Sequence, residues 1–436
     1  MNLFSDKACY PRHITQHLFS ILGSSTSVKR VPDAQVKSLS KDYSFEIYND
    51  VLELPDAWTD LVQERNSFLD TPFLAALQKS PPTGVENRYV ILKLNGKAVG
   101  VVLLQLIDYR LKDSLKNLTD GDIRSWSDQL KLRLSSVLNF RLLVIGNLLL
   151  SGEHAFLFDD TIVSREQGID LILKTLPQIR RQIEQEDGRK VSGVMIKDLE
   201  SPLSANQRKG LMHQVTFQPN MSMKLEREWK NRDDYLADLL SKYRIRARRA
   251  FKKARDIQIR EWSLEEIETN RMTLHKLYRA IADKATFNML NLEADYLPSL
   301  KRELGEGFRF FGYENKEGEL LGFCTLIENG TAYDAHFLGL EETSNKRYQL
   351  YLNMLFDMLA KAIEKPAINS IVFGRTALEI KSSIGARPKE MYCYIKHFNS
   401  AFNLVIGWLI RRYDPVEEWQ ARHPFKTTTV DVLQQA

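Results

Sequence analysis

One order of secondary-structure patterns occurs twice in this chain, and the repeat constrains the fold more than any other feature. Both copies are predicted to contain, in this order, a strand, two helices, three strands, a helix and a further strand. The first copy begins near residue 43 and the second near residue 257. Antiparallel strands followed by a strand–helix–strand crossover are typical of α/β (α+β) domains. The repeat therefore predicts two similar domains in tandem, each a mixed sheet flanked by helices.

The predicted domain boundaries fall in polar or charged segments. Residues 23–42 are rich in Ser, Lys and Asp and lack periodicity, which indicates a linker. A charged helix between residues 225 and 256 separates the two copies. We therefore predict an N-terminal segment and linker (1–42), a first domain (43–228), a second domain with the active cleft (229–398) and a C-terminal tail (399–436).

Composition is that of an ordinary globular protein. The 436 residues are 43% hydrophobic and 27% charged, and the formal net charge is only +5. The three cysteines have neither the spacing of metal ligands nor the even number of a disulfide framework. No apolar run reaches about 18 residues. We therefore expect a cytoplasmic protein without a structural metal or a membrane-spanning helix.

Four stretches carry a resemblance to a known family. They are "VIGNLLLSGEHAF" in the first copy, "SKYRIRARRAFKKA" before the second, "DAHFLGL" on its fourth strand and "FGRTALEIKSSIGARP" after its fifth. With the element order, they make residues 43–398 resemble the acyl-CoA N-acyltransferase (GNAT) superfamily, and within it the FemAB-like tandem acyltransferases. The resemblance implies transfer of an acyl group to an amine in a cleft of the second copy, without specifying the substrate.

The predicted strand "TAYDAHFLGL" places two titratable side chains on one face. Side chains alternate along a strand, so Asp334 and His336 point to the same side. An amine must lose a proton before it attacks an acyl carbon, and a histidine oriented by a carboxylate can accept that proton. We therefore predict His336 and Asp334 as catalytic residues. The alternative is a buried His–Asp hydrogen bond that stabilises the sheet.

The next segment predicts a helix from about Lys346 to Glu364 with two cations in its first turn. Cations there oppose the helix macrodipole, and an anion bound to the N–H groups would remove that cost. In the GNAT enzymes that the chain resembles, this turn holds the pyrophosphate of acyl-CoA through a loop with glycine; here the sequence is "TSNKRY". The predicted cofactor-binding residues are Asn345, Lys346, Arg347 and Tyr348, and acyl-CoA is the donor that the resemblance implies.

The loop after the fifth strand of the second copy is rich in charged residues. It leaves the end of a strand, where ligands collect in open α/β folds. Arg375 has the planar fork that grips a carboxylate or phosphate, and Lys381 adds a point charge, so both are predicted to bind substrate. Glu379 is predicted either to pair with Lys381 or to act on the amine. The alternative is a solvated loop with a salt bridge.

Two further segments bear on partners. Residues 242–255 hold eight Lys or Arg, while apolar positions step along the opposite helical face. The basic face could meet RNA, anionic lipid or only solvent, and the lack of interleaved aromatic residues argues against nucleic acid.

In the tail, nine nearly all apolar residues (402–410) precede Arg411 and Arg412. They are too few to span a bilayer but could dock on the protein or contact a membrane surface.

These features predict an N-acyltransferase that moves an acetyl, fatty acyl or aminoacyl group from a thioester or ester donor to an amine on a small molecule or precursor. Two alternatives are open. One is a catalytically silent tandem GNAT fold that binds a ligand or partner. The other is an aminoacyl-tRNA-dependent FemAB-like transferase acting on a cell-wall precursor. The first copy lacks the charged loop and is expected to shape the cleft.

Overall fold

The computed structural model describes residues 43–110, 139–208, 212–225, 229–284, 290–412 and 419–426. All of them belong to one compact unit, Asp42–Ala436. The predicted N-terminal segment and linker (1–42) and the end of the predicted tail fall outside the described residues.

Fifteen strands within these residues form two sheets. In chain order they are β1 (Tyr43–Tyr48), β2 (Val85–Leu94), β3 (Lys97–Arg110), β4 (Asn139–Ile145), β5 (Phe156–Phe158), β6 (Gly193–Leu199), β7 (His213–Val215), β8 (Asn220–Lys224), β9 (Gln258–Glu261), β10 (Phe308–Glu314), β11 (Leu320–Asn329), β12 (Ala332–Leu340), β13 (Ser370–Gly374), β14 (Arg387–Lys389) and β15 (Tyr392–His397). The first sheet has the order β1-β2-β3-β4-β6-β15-β7, with β5 beside β3. The second has the order β14-β8-β13-β12-β11-β10-β9.

Twelve α-helices in the same residues accompany the sheets. They are α1 (Asp56–Val62), α2 (Thr71–Lys79), α3 (Arg165–Asp187), α4 (Arg232–Asp238), α5 (Ser241–Lys253), α6 (Leu264–Thr269), α7 (Arg271–Ala282), α8 (Tyr296–Leu304), α9 (Glu342–Tyr348), α10 (Leu350–Ile363), α11 (Leu378–Ser382) and α12 (Ser400–Arg412). α3 lies between the parallel strands β4 and β6, and α10 lies between the parallel strands β12 and β13. These matching crossovers, each after antiparallel strands, confirm the predicted pair of mixed sheets flanked by helices.

Local sequence explains where several of these elements begin and turn. Asn95 and Gly96 take left-handed backbone angles (φ 50° and 78°) between β2 and β3, as a tight hairpin turn requires. At the start of α6, the Ser263 side chain accepts a hydrogen bond from the backbone of Glu266, whose carboxylate accepts one from the Ser263 N–H. This capping box satisfies two backbone N–H groups that the helix cannot satisfy itself.

Two short strands cross between the sheets, which corrects the predicted assignment of strands to domains. The predicted limits at residues 228 and 398 put β8 in the first domain and β15 in the second. The structure pairs β8 with β13 and β14 of the second sheet, and β15 with β6 and β7 of the first. That placement was wrong because the periodicity of a strand shows which side chains are buried, not which of two similar sheets buries them.

A shared apolar core joins the two sheets and sets the position of the site. Trp58 and Phe73, from the first part of the chain, lie in one buried cluster with Tyr296 and Phe310 from the second. Burial of each such side chain contributes about 1.5–3 kcal/mol of transfer free energy. The two sheets therefore share this part of the interior, and each also has a buried cluster of its own.

The predicted apolar tail segment forms α12, which docks on the edge of the first sheet. His213 of β7 places its ring nitrogen 2.9 Å from the backbone oxygen of Asn403, and the Asn403 side chain accepts the N–H of His397 at 2.8 Å. The other face of α12 leaves Leu404 and Val405 exposed. Docking therefore accounts for one face, and contact of this helix with a membrane surface stays a prediction. Within the described ranges, every helix is too short or too polar to traverse a bilayer.

Candidate active site

The second sheet opens where two of its parallel strands part. β12 and β13 pair only from Ala332 to Asp334 and from Ser370 to Val372. Beyond that point β12 continues to Leu340 beside β11 alone. The edge of β12 that β13 no longer covers borders a cleft of about 640 Å³.

The walls of this cleft are mostly apolar, with a small set of polar groups among them. The apolar residues come mainly from α7, β12 and α10, and include Tyr278, Ile281, Ala335, Phe337, Leu338, Leu340, Tyr351, Leu355, Met358 and Phe373. The polar residues include Lys284, Thr325, Asp334, His336, Asn345, Arg375, Thr376 and Lys381. Leu149, Leu150 and Ser151 of the first copy also line the cleft, as expected for a copy that shapes it. Such a lining suits an apolar ligand with a few polar atoms.

Asp334 is a buried carboxyl at the last paired position of β12, with only 8% of the residue exposed. Burial raises the pKa of Asp334 to about 7, although a hydrogen bond with the Asn329 side chain opposes the rise. Near neutral pH this group therefore exists both with and without its proton. A carboxyl of that kind can accept a proton and return it within one reaction.

His336 lines the same cleft but does not pair with Asp334. Its Nε2 lies 2.8 Å from the hydroxyl of Tyr296, and its ring packs against Phe73 and Phe337. Burial lowers the pKa of His336 to about 3, so the ring is neutral and a poor base at neutral pH. The predicted His–Asp pair is wrong, because strand alternation puts two side chains on one face without telling which partner each will find.

Lys381 lines the cleft and is 3% exposed. Its Nζ donates to the backbone oxygens of Phe373 and Gly374, at 2.5 and 3.2 Å, and no carboxylate of the described residues pairs with it. Burial lowers the pKa of Lys381 to about 7. A protonated lysine has three N–H groups, so one is not used by these two bonds.

Arg375 also borders the cleft, but its guanidinium is already bound within the protein. Both terminal nitrogens contact the carboxylate of Asp198, one at 3.0 Å, and Nε donates to the backbone oxygen of Gln218 at 2.9 Å. Asp198 is fully buried and also pairs with Lys197. Burial alone would raise the pKa of Asp198, but the two cations outweigh it and hold that pKa well below its usual range. The prediction that Arg375 grips a ligand is corrected, because Asp198 occupies its fork and ties β13 to β6.

Removing this buried ion pair is expected to cost stability rather than ligand affinity. Arg375→Ala should lower the free energy of unfolding by about 3–5 kcal/mol, because Asp198 stays buried with one cation fewer. Urea unfolding followed by circular dichroism measures the change. As a control, Arg309 makes a similar two-pronged pair with the more exposed Glu261. Arg309→Ala should cost about 1 kcal/mol or less, and equal losses in the two variants would contradict the buried role of Arg375.

The helix predicted to start at Lys346 is two helices. α9 ends at Tyr348, Gln349 takes a left-handed conformation (φ 54°), and α10 begins at Leu350. Lys346 and Arg347 therefore lie in the last turn of α9, where cations suit the helix macrodipole. They do not lie in the first turn of the crossover helix.

Of the four residues predicted to bind a cofactor, only Asn345 lines the cleft. Its side-chain oxygen accepts the N–H of Tyr351, at 3.0 Å, in the first turn of α10. Lys346 pairs with Glu342 at 2.6 Å, and Arg347 lies over the ring of the residue that follows it. The geometric basis of the predicted phosphate site is therefore wrong, because an internal side chain caps the helix start and the cations belong to the preceding helix.

Glu379 lies on α11 and is not among the residues that line the cleft. Its carboxylate accepts hydrogen bonds from the N–H of Gln420 and the guanidinium of Arg422, both at 3.2 Å, and these bonds lower its pKa. The predicted pair with Lys381 is not formed, because residues two apart on a helix do not face each other. The predicted action on the amine has no geometric support, and Glu379 instead anchors residues 419–426.

A second cavity, of about 920 Å³, adjoins the cleft, and Ser151, Asp334 and Val372 line both. Most of the residues that line the second cavity are polar, and they include Asn66, Glu153, Glu200, Ser222, Asn329, Asn369 and Ser370. Asn220 also lines it and is 5% exposed; its amide nitrogen donates to the Ser151 backbone oxygen at 3.3 Å, while its Oδ1 has no donor. A buried acceptor without a partner costs free energy. An N–H group of a ligand in this cavity would satisfy it.

The sequence analysis did not identify the residues that contact the predicted site residues or that line the second cavity. Tyr296 sits in a predicted helix and Asn220 in a predicted strand, and neither pattern marks a site. One signal was available for the buried ion cluster: Lys197 and Asp198 are adjacent charges at the end of an otherwise apolar strand. Within the part of the chain that the structure describes, no group of three or more His, Cys, Asp or Glu side chains is arranged to hold a metal ion.

At the level of sequence, the chain matches no protein-family model and no curated protein. Among solved structures, FemX aligns over 83% of this chain and 100% of its own, with a TM-score of 0.50 and 12% identity. This chain has the same fold as FemX. A tandem GNAT protein from the clavulanic acid biosynthesis pathway aligns over 82% of this chain and 98% of its own, with a TM-score of 0.48 and 12% identity. L-PGS from Bacillus licheniformis aligns over 77% and 95%, with a TM-score of 0.43 and 10% identity. In the FemX-like fold described here, the cleft lies at the crossover of the second sheet.

Proposed function

We propose that this protein is an N-acyltransferase that moves an acyl group from a thioester or ester donor to an amine in the cleft between β12 and β13. The observation that carries the proposal is the position of Asp334. One buried carboxyl, which titrates near neutral pH, borders both an apolar cleft and a polar cavity. Acyl transfer to an amine needs two adjoining sites that meet at a proton acceptor.

The apolar cleft is the proposed site of the acyl group. Ile281, Leu355 and Met358 are among the side chains that would contact its hydrocarbon part. An aminoacyl group would place an ammonium among these side chains, and burial of an unpaired charge is costly. This cleft therefore favours an acetyl or fatty acyl group over an aminoacyl group.

The residues at the start of α10 do not fit the pyrophosphate of coenzyme A. A pyrophosphate site needs N–H groups and cations that are not already engaged. The N–H of Tyr351 is bonded to Asn345, and both Lys284 and Lys346 pair with Glu342, which adds a negative charge. No step of the proposed reaction relies on coenzyme A, and a carrier of another kind is proposed for the donor.

Asp334 is the proposed proton acceptor for the amine. The amine would enter through the polar cavity, where the Oδ1 of Asn220 can accept one of its N–H groups. As the nitrogen attacks the acyl carbon, a C–N bond forms and the carboxylate of Asp334 takes the proton that the nitrogen loses. The C–S or C–O bond to the carrier then breaks, and the departing sulfur or oxygen takes the proton that Asp334 holds, which returns Asp334 to its carboxylate form.

Lys381 is the proposed donor to the acyl oxygen. Attack on the acyl carbon places negative charge on that oxygen, and a fixed N–H in a buried site stabilises the charge strongly. Two backbone oxygens hold the Lys381 ammonium in place and leave one N–H for this purpose. In its protonated form Lys381 has no carboxylate partner among the described residues, so no internal anion offsets its charge.

The test offers the purified protein a set of acyl thioesters and esters with primary amines and follows amide formation by mass spectrometry. We expect product from donors with apolar acyl groups. Met358→Trp would fill the cleft and should lower the rate about a hundredfold by displacing the acyl group. Met272→Trp, at an exposed position of α7, is the matched control and should leave the rate unchanged.

Three results would count against parts of this proposal. If no donor and amine pair reacts above the uncatalysed rate while the protein is folded, the chain is a silent binding protein of this fold. If the two tryptophan variants lose activity equally, the cleft is not the acyl site. If only acyl-CoA donors react, the reasoning from the α10 turn is wrong.

A further inference from the structure

The exposed face of α5 carries a dense set of cations that the proposed reaction does not use. Four of them are spaced by four, three and four residues and form one stripe, and two more lie beside it. In order along the chain, the six exposed cations are Lys242, Arg246, Arg248, Arg249, Lys252 and Lys253. Within the described residues, none of the six makes an ion pair. The interior of the protein therefore leaves this charge uncompensated.

The arrangement costs the free protein stability. Like charges four residues apart on a helix repel each other, and α5 contains three such pairs within this set. Lys242 also opposes the macrodipole at the helix start, where Leu240 supplies no side-chain cap. On its other face the helix is held firmly, with Ala247 and Ala250 fully buried and the Ala250 backbone oxygen bonded to Asn353 at 3.2 Å. A fixed cationic surface of this kind is explained by a polyanion outside the protein.

Two basic grooves flank the helix. One, of about 360 Å³, is lined by Lys242, Arg246 and Arg422, and the other, of about 510 Å³, includes Arg249, Lys253 and Arg347 among its lining residues. Each groove also contains one carboxylate, which is already paired with a basic side chain. Concave surfaces lined by arginine and lysine suit phosphate groups, which accept several charge-assisted hydrogen bonds.

We propose that this face of α5 binds the surface of an anionic phospholipid bilayer, with lipid phosphates in the two grooves. Two apolar side chains lie exposed among the cations, Leu240 at 37% and Ile245 at 49%, and these can enter the headgroup region. A single-stranded RNA would instead be held by stacking of its bases on open aromatic rings. The nearby rings of Tyr243 and Tyr348 are covered by cations, at 4.8 and 4.9 Å. The surface therefore suits lipid better than single-stranded nucleic acid.

Co-sedimentation with vesicles tests this surface in the full-length protein. The vesicles are made of phosphatidylcholine alone or with phosphatidylglycerol, and binding is expected only with the anionic lipid and more weakly at high salt. The variant Arg246→Gln/Arg249→Gln/Lys253→Gln should bind about a hundredfold more weakly, since each cation near a membrane surface is worth about fivefold. Its melting temperature should equal or exceed that of the unmodified protein, because repulsion is removed.

The matched control is Lys174→Gln/Arg181→Gln/Lys190→Gln, which removes the same charge from exposed positions of the first sheet's crossover. Binding should be nearly unchanged in this control. Equal losses in the two triple variants would overturn the proposal, because net charge alone would then explain binding. Full binding by the α5 variant, with loss in Leu404→Ser/Val405→Ser, would assign the surface to α12 instead. Tighter binding of bulk RNA than of anionic vesicles, through the same α5 cations, would overturn the lipid assignment.

Discussion

Asp334→Asn is expected to lower the rate of amide formation by about 10²–10⁴-fold, the usual contribution of a proton-accepting side chain. Asparagine keeps the shape of aspartate and can still accept the hydrogen bond from Asn329, so the cleft is not reshaped. It lacks the carboxylate that takes the proton from the attacking amine. Single-turnover amide formation, followed by mass spectrometry, measures the loss.

The same change is expected to stabilise the protein at neutral and alkaline pH. Burial raises the pKa of Asp334 from 3.8 to about 7, so the folded state binds more protons than the unfolded state between these values. Stability from Asp334 is therefore complete below about pH 4 and is lost as the pH rises through 7. Asp334→Asn should match the unmodified protein near pH 4 and exceed its stability by about 2–4 kcal/mol at pH 8.

Asp357 offers a matched control for both effects. It is a second buried carboxyl of the same sheet's crossover, bonded to Tyr313 at 3.0 Å and to Arg232 at 2.5 Å, and it does not line the cleft. Asp357→Asn should keep the rate of amide formation near that of the unmodified protein. Similar rate losses in the two variants would contradict a chemical role for Asp334. A loss of rate in Asp334→Asn that is caused by unfolding of the variant would contradict it as well.

Lys381→Met is expected to give a protein that is more stable and about 10²–10³-fold slower. The loss of rate follows from removal of the N–H that stabilises negative charge on the acyl oxygen. Methionine has a similar length and no charge, so it suits the buried site around Lys381. The expected combination of higher stability and lower rate is characteristic of a buried functional charge.

The direction of the stability change in Lys381→Met follows from the lowered pKa of Lys381. Burial lowers the pKa of Lys381 from 10.5 to about 7, so the stability contributed by this lysine is complete above about pH 10.5 and is lost as the pH falls through 7. At pH 6, Lys381→Met should be more stable by about 1–3 kcal/mol, after allowance for the unsatisfied backbone oxygens of Phe373 and Gly374. The gain should shrink as the pH rises. The control is Lys361→Met, at a partly exposed lysine paired with Glu364, which should change neither rate nor stability. A gain in stability of Lys381→Met that occurs only at alkaline pH would contradict the buried charge.

The element order of this chain was sufficient to predict two mixed sheets, because strands, helices and crossovers are set by local periodicity and turn residues. The sequence did not predict that β8 joins the second sheet and that β15 joins the first. Both strands are short and mix apolar with polar residues, so either sheet could pair with them. Which sheet each strand joins depends on the path of the chain around the shared core, and single-sequence patterns contain no information about that path.

The sequence likewise predicted only part of the candidate site. Asp334, His336, Arg375 and Lys381 all line one cleft, as expected for residues that lie on β12 or follow β13, its parallel neighbour. Their partners come from far along the chain: Tyr296 is 40 residues from His336, and Asp198 is 177 residues from Arg375. Burial decides whether a histidine can act as a base or only packs as a neutral ring. The residues that surround an arginine decide whether it binds a ligand or an internal carboxylate. Neither can be read from spacing alone.

The pH dependence of single-turnover amide formation tests most directly whether Asp334 accepts the proton of the amine. In the unmodified protein the rate should follow a bell-shaped curve with its maximum near pH 7, because the reaction needs Asp334 without its proton and Lys381 with its proton, and burial brings both pKa values to about 7. In Asp334→Asn the rise on the acidic side should disappear, while the fall on the alkaline side persists at a much lower rate. A rise with an apparent pKa near 7 that survives in Asp334→Asn would contradict the assignment.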